Sequence, residues 1–108
     1  MKAWEIWTGD LYGAHPLVIV SAQRRIEQKE RVVVLKCTTL RPGHGWQPDE
    51  LQAVLDQEDG LELRTRCDCD LLFTVEKKGL TQRRGEVRWE RRRDISRKMI
   101  QGLALAGL

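Results

Sequence analysis

The sequence predicts an α+β fold, a small antiparallel β-barrel closed by one C-terminal helix, and three observations point to it. Short apolar runs and two-residue alternations follow one another from Trp4 to Trp89, with Gly-, Asp- and Pro-marked turns between them. The period then lengthens to helical spacing at Ile95, Met99, Ile100 and Leu103. At 108 residues the chain suits a single domain, 1–108, with one interior.

In chain order, Trp4-Glu5-Ile6-Trp7 alternates large apolar with polar residues, as a half-buried strand does. Gly9, Asp10 and Gly13 mark a turn. Pro16-Leu17-Val18-Ile19-Val20 reads as a strand buried on both faces, with Pro16 tolerated at its start because proline cannot donate to a ladder. Val32-Val33-Val34-Leu35 is a second such run and ends in Cys37-Thr38-Thr39. Arg41 to Pro48 is a loop, Leu51 to Leu55 a further strand, and Asp59-Gly60 a hairpin-type turn. Leu61 to Val75 holds one or two strands interrupted near Asp68 to Asp70, and Gly85 to Trp89 alternates again. The helix is expected to begin near Asp94 or Ser96 and to end at Gly107, with Ile95, Met99 and Leu103 as its buried stripe. Trp4, Trp7 and Trp89 are expected in the core.

Hydrophobic residues make up 41% of the chain, enough for a packed interior, and no apolar run nears the roughly 18 residues that span a bilayer. Met1-Lys2-Ala3-Trp4-Glu5 does not read as a secretion signal, and the three cysteines (Cys37, Cys67, Cys69) read as reduced thiols, so a cytoplasmic location is expected. The net charge of +3 is uninformative, but its distribution is not. Six acids and no Lys or Arg lie between Asp49 and Glu62, and eight bases against three acids lie between Arg83 and Lys98. Such polarity steers a polyanion towards one face, or else describes a solvated basic face beside a solvated acidic loop.

Several chemistries are disfavoured. Cys67-Asp68-Cys69 puts two thiols on one strand face, but His15 and His44 are the only histidines, so no metal and no cofactor is expected and the cysteines are read as small buried hydrophobes. Gly43-His44-Gly45 lacks the Lys-Ser/Thr of a phosphate loop, and no Gly-x-Ser-x-Gly elbow is present. Three segments are richer. His15 to Ser21 brings an imidazole to the start of a buried strand and a hydroxyl to its end. Cys37-Thr38-Thr39 brings hydroxyls to the end of another. Arg64-Thr65-Arg66-Cys67-Asp68 places Arg66 and Asp68 on one strand face, where the bland alternative is a surface ion pair. Trp46, in a polar loop with Arg41 and His44, suits stacking on an unpaired base.

The order Trp4-Glu5-Ile6-Trp7, His15 to Ser21, Cys37-Thr38-Thr39, Arg66-Cys67-Asp68, Arg84-Gly85-Glu86-Val87 and a closing helix resembles the PemK/MazF family of toxin endoribonucleases, from Trp4 to about Leu103. The resemblance implies an SH3-like barrel of the CcdB/PemK kind. It also implies a homodimer, metal-free cleavage of single-stranded RNA by 2′-hydroxyl attack, silencing by a cognate antitoxin protein, and a toxin–antitoxin complex that binds DNA. By position it assigns Asp68 as base, Arg66 as acid or phosphate clamp and Thr38 as a phosphate ligand. Ser21, Thr39, Arg41, Trp46, Arg64 and Arg84 are the RNA-contacting candidates. Two features depart from the family pattern: His15 stands where an Arg is usual before the strand proline, and the loop between the first two strands is short. An imidazole acts as acid or base near neutrality, which a guanidinium does poorly, so His15 joins the catalytic candidates. Two alternatives stay open: an inactive relative that only binds RNA or protein, and a CcdB-like toxin that poisons gyrase by contact.

Overall fold

The computed structural model describes residues 1–105. Strands β1 (Glu5–Asp10), β2 (Ala14–Ile19), β3 (Arg31–Thr39), β4 (Gln52–Leu55), β5 (Thr65–Glu76) and β6 (Gln82–Glu86) form one sheet in the order β4-β5-β3-β2-β1-β6. Every neighbouring pair is antiparallel. A short helix α1 (Gln23–Gln28) joins β2 to β3, and α2 (Trp89–Gly102) closes the chain. The sheet curls until its edges approach. The 3-10 turn Gln57–Asp59 after β4 packs on β6 so closely that a Cβ on Gly85 would lie 2.0 Å from the Asp59 carbonyl oxygen. The result is a curled antiparallel half-barrel with a C-terminal helix, as the sequence predicts.

Strand alternation sorts the apolar residues into two clusters on opposite faces. The inner cluster holds Ile6, Val18, Leu35, Leu55, Cys67 and Val87, with Ile95 of α2 set among them and Met99 packed against it. The outer cluster holds Leu17, Ile19, Val32 and Val34 beneath Ile26 of α1 and Leu80. The two continuous apolar runs are thereby explained, because successive residues of β2 and β3 serve different clusters. Full burial of each such side chain is worth roughly 1.5–3 kcal/mol. Cys37, Cys67 and Cys69 are all buried free thiols, and Cys37 faces Cys67 across β3 and β5. The Cys37 sulfur beside it and its own burial push the Cys67 thiol well above the usual range; Cys67 and burial do the same to Cys69. Cys67 and Cys69 therefore stay neutral, and all three cysteines serve as packing groups.

Several elements depart from the sequence reading. β5 is one 12-residue strand through Asp68–Asp70, and the expected interruption is instead a register shift in its pairing with β3, between Leu35 and Cys37. Asp59-Gly60 is a 3-10 turn with Gly60 left-handed (φ 89°) rather than a hairpin. α1 has only Ile26 buried, too little apolar periodicity to announce a helix. α2 begins at Trp89, five residues before Asp94, because its first turn is anchored from outside: the Arg88 N–H donates to the Asp59 carboxylate at 2.9 Å. Trp89 is therefore a helix residue and 77% exposed, not core, with the Arg92 guanidinium over its ring. Trp4 and Trp7 are half-buried. The helix ends at Gly102, whose missing Cβ lets it close on Asp70; Gly107 lies outside the described residues.

The charged segments find each other. Arg91 pairs with Asp56, Glu58 and Asp59, Arg88 with Glu58 and Glu90, Arg92 and Arg83 with Glu86, and Arg83 also with Glu5. Three of the six carboxylates of the acidic stretch, Asp56, Glu58 and Asp59, therefore bind the start of α2, and most of the basic run is neutralised within the fold. Among the described residues no helix is long and apolar enough to cross a membrane.

Candidate functional site

Antiparallel register carries four of the candidates to one place. β3 pairs with β5 so that Thr38 faces Arg66, and β2 pairs with β3 at Leu17–Lys36 and Val18–Leu35. That second register, continued by two residues, sets His15 opposite Thr38 and makes a cross-strand row His15, Thr38, Arg66. Asp68 lies two residues along β5 and so projects to the same side as Arg66. Alternate residues on these strands (Cys37, Cys67, Cys69) enter the inner cluster. The row therefore lies on the outer face of the sheet, beyond the end of the outer cluster, where strand pairing holds it without burying it.

Arg66 is the centre. Its Nε lies 3.4 Å from Asp68 Oδ1, and its Nη2 donates to Thr38 Oγ1 at 3.5 Å. Both contacts are long, and Nε is buried with no hydrogen-bond partner among the described residues. The Arg66 side chain, one-third exposed, is thus loosely held by its two neighbours, and its guanidinium can donate to the oxygens of an incoming phosphate. Asp68 is buried, and its Oδ1 also accepts from Gln52 Nε2 at 3.1 Å. Its Oδ2 accepts no hydrogen bond among the described residues, so a lone pair remains to take a proton.

His15 is half-buried, with Nδ1 2.9 Å from the Cys37 carbonyl oxygen. A carbonyl only accepts, so Nδ1 carries a proton and Nε2 is left to exchange one. One histidine is thereby oriented by the main chain of the residue before Thr38.

A second cluster adjoins the first. Trp46 is half-buried, its carbonyl accepting from Arg64 Nη1 at 2.8 Å and its ring covered by the Arg64 guanidinium at 5.1 Å. Its indole Nε1 donates to Gln52 Oε1 at 3.1 Å. Arg41 is exposed in the same loop. Gln52 was not singled out from the sequence. Its outward position was legible from the alternation Gln52-Ala53-Val54-Leu55, but its pairing with Asp68 is set by β4–β5 register. Lys36 was also missed and shares the outer face with Leu17 and Thr38.

Three RNA-contact candidates do not join this site. Ser21 is buried at the far end of β2 and accepts from the Val33 N–H at 2.8 Å, extending the link between β2 and β3. Thr39 pairs with Thr65 and, one residue past Thr38, points to the other face of the sheet. Arg84 sits on β6, at the opposite end of the strand order from β4, with its Nη1 on Thr8 Oγ1 at 3.3 Å. Among the described residues no group of three His, Cys, Asp or Glu side chains converges as a metal site would require.

Neither family models nor curated protein sequences return a match to this chain. Solved structures do. A mycobacterial endoribonuclease in complex with its cognate antitoxin matches at 25% identity over 97% of this chain and 96% of its own, with a TM-score of 0.82. The Mycobacterium tuberculosis toxin MazF-mt6 matches at 18% identity over 93% and 96%, TM-score 0.78. A MazE–MazF structure from Deinococcus radiodurans matches at 12% identity over 96% and 95%, TM-score 0.74. Over nearly all its length, this chain has the fold of the MazF-type endoribonuclease toxins, the family its motifs resemble.

Proposed function

We propose that the protein is the toxin of a toxin–antitoxin pair and a metal-independent endoribonuclease acting on single-stranded RNA. The observation that carries this reading is the His15, Thr38, Arg66 row with Asp68 beside it: acid, base and phosphate ligand on one face of the sheet. The 2′-hydroxyl oxygen attacks the adjacent phosphorus while Asp68 Oδ2 takes its proton. Negative charge grows on the phosphorane oxygens, where Arg66 and the Thr38 hydroxyl donate to it. The bond to the 5′ oxygen breaks, and imidazolium His15 delivers its Nε2 proton to that leaving oxygen. The products are a 2′,3′-cyclic phosphate and a free 5′-hydroxyl.

Each role follows from what its group can supply. A guanidinium is a weak acid and an apt phosphate clamp, whereas a tautomer-fixed imidazole shuttles protons. Trp46, flanked by Arg64, offers a ring for one base of the strand, with Arg41 near the path of the backbone. Function as a homodimer, inhibition by an antitoxin and DNA binding by the resulting complex belong to the same reading. The fold shared with a mycobacterial endoribonuclease in complex with its cognate antitoxin supports the antitoxin partner.

Purified protein incubated with single-stranded RNA in excess EDTA tests the reading. Cleavage is expected to persist, to leave cyclic phosphate ends, and to fall by about 10²–10³ in Arg66→Ala and at least as far in Asp68→Ala. Intact RNA with the wild-type protein, or cleavage indifferent to both substitutions, overturns it.

A further inference from the structure

One side chain joins the loop of residues 40–51 to the Arg66–Asp68 pair. Gln52 Oε1 accepts from the Trp46 indole Nε1–H at 3.1 Å and from the Asp49 N–H at 3.2 Å. Both groups only donate, so the amide oxygen must face them. The orientation of the whole amide follows, and its Nε2 is turned onto Asp68 Oδ1 at 3.1 Å. The main chain of Gln52 is held as well: its carbonyl accepts from Lys98 Nζ of α2 at 2.6 Å, and the Lys98 side chain is only 15% exposed. The amide is thus saturated on its loop side and committed on its site side.

We propose that Gln52 is a positioning residue that locks the Trp46 ring and the Asp68 carboxylate into one frame, fixing the spacing between a stacked nucleobase and the phosphate at Arg66. This deepens the nuclease reading and rests on it for its RNA consequence. With its N–H consumed by Gln52 and its ring covered by Arg64, Trp46 engages a base by stacking alone. A chain of two hydrogen bonds then sets where that nucleotide's phosphate falls relative to Oδ2 of Asp68. An error of an ångström there costs on the order of 10²-fold in rate. The charged group paired with Asp68 is Arg66 on its own strand. On β4 the neutral Gln52 faces it, with Lys98 of α2 behind.

Gln52→Glu keeps an acceptor for Trp46 and Asp49 but sets a second carboxylate against Asp68. NMR titration of the intact protein reads the frame directly. Asp68→Asn identifies the Asp68 carboxyl signal, and Trp46→Phe identifies the indole N–H of Trp46. In the wild type that indole resonance is expected to move as Asp68 titrates. In Gln52→Leu the response is expected to vanish. In Gln52→Glu the Asp68 midpoint is expected to rise, because a second carboxylate then faces it. An indole resonance blind to Asp68 in the wild type, or an unmoved midpoint in Gln52→Glu, overturns the proposal. On a short single-stranded RNA, Gln52→Glu should lower kcat at least about tenfold with KM nearly unchanged, because the platform is kept while the base is disturbed. A rise in KM at constant kcat also counts against it. Wild-type protein that leaves RNA intact sinks the nuclease reading, while the titrations still decide the frame.

Discussion

Replacement of Asp59 is the sharpest test of how the acidic stretch and the basic helix hold the barrel shut. Its side chain is fully buried; Oδ1 accepts from the Arg88 N–H at 2.9 Å, and Oδ2 accepts from the Asp56 N–H at 3.0 Å and from Arg91 Nη1. In Asp59→Ala the guanidinium of Arg91 keeps Asp56 and Glu58, so the loss falls on two main-chain donors. Each buried donor left without a partner costs about 1–3 kcal/mol, which puts the variant roughly 4 kcal/mol below wild type. Domains of this kind hold about 5–15 kcal/mol in total, so the midpoint of unfolding should drop by 10 °C or more. Asp59→Asn is the informative companion. Its single carbonyl serves one amide, and its NH2 then faces the remaining amide and Arg91, donors against donors. The Asn variant should therefore lie within about 1 kcal/mol of the Ala variant. Urea denaturation followed by circular dichroism measures both. An Asn variant as stable as wild type, or an Ala variant less than about 1 kcal/mol below it, would refute the assignment of the helix start to this carboxylate.

Three other outcomes follow from the same geometry. Burial raises the Glu5 carboxyl, but hydrogen bonds from Arg83, the Lys2 N–H and the Trp7 indole outweigh it and hold the group at about 2, against an ordinary 4.5. A depressed folded-state value means stability present above pH 4.5 and lost as pH falls towards 2. The loss is at most about 3 kcal/mol, and Arg83→Gln should flatten that slope in an acid melting series. Gly85→Ala must displace the Asp59 main chain, since its Cβ would lie 2.0 Å from the carbonyl oxygen; a stability loss of about 1–3 kcal/mol or more is expected in denaturant titration. His15→Gln should lower the rate of RNA cleavage about 10²- to 10⁴-fold while the melting temperature stays within a few degrees, and an unaltered rate would remove the imidazole from the mechanism.

The strands were legible because local pattern and environment agree. The runs at Leu17–Ile19 and Val32–Leu35 could only be strands serving two apolar faces, and β1 alternates plainly. Trp89 misled because its alternation with Val87 continues past the end of β6, and only the Asp59 cap, 30 residues upstream, reveals that a helix has begun. α1 was invisible for want of apolar residues. Ser21 and Thr39 show the same limit within the site: each belongs to a suggestive segment, yet a hydrogen bond to the Val33 N–H withdraws one and strand alternation turns the other to the opposite face.

What the sequence determined by itself is local: where chains of β-branched residues must be strands, where helical spacing takes over, and which polar residues stand at strand ends. Tertiary structure decided which of those residues meet. The His15–Thr38–Arg66 row exists because antiparallel register across three strands brings together positions 51 residues apart in the chain (66 − 15). The acidic stretch became a fastening for α2 only when the curled sheet carried it to Arg91. Register and curl are set by packing of the whole core, a sum over contacts distant in sequence, and no local pattern encodes that sum.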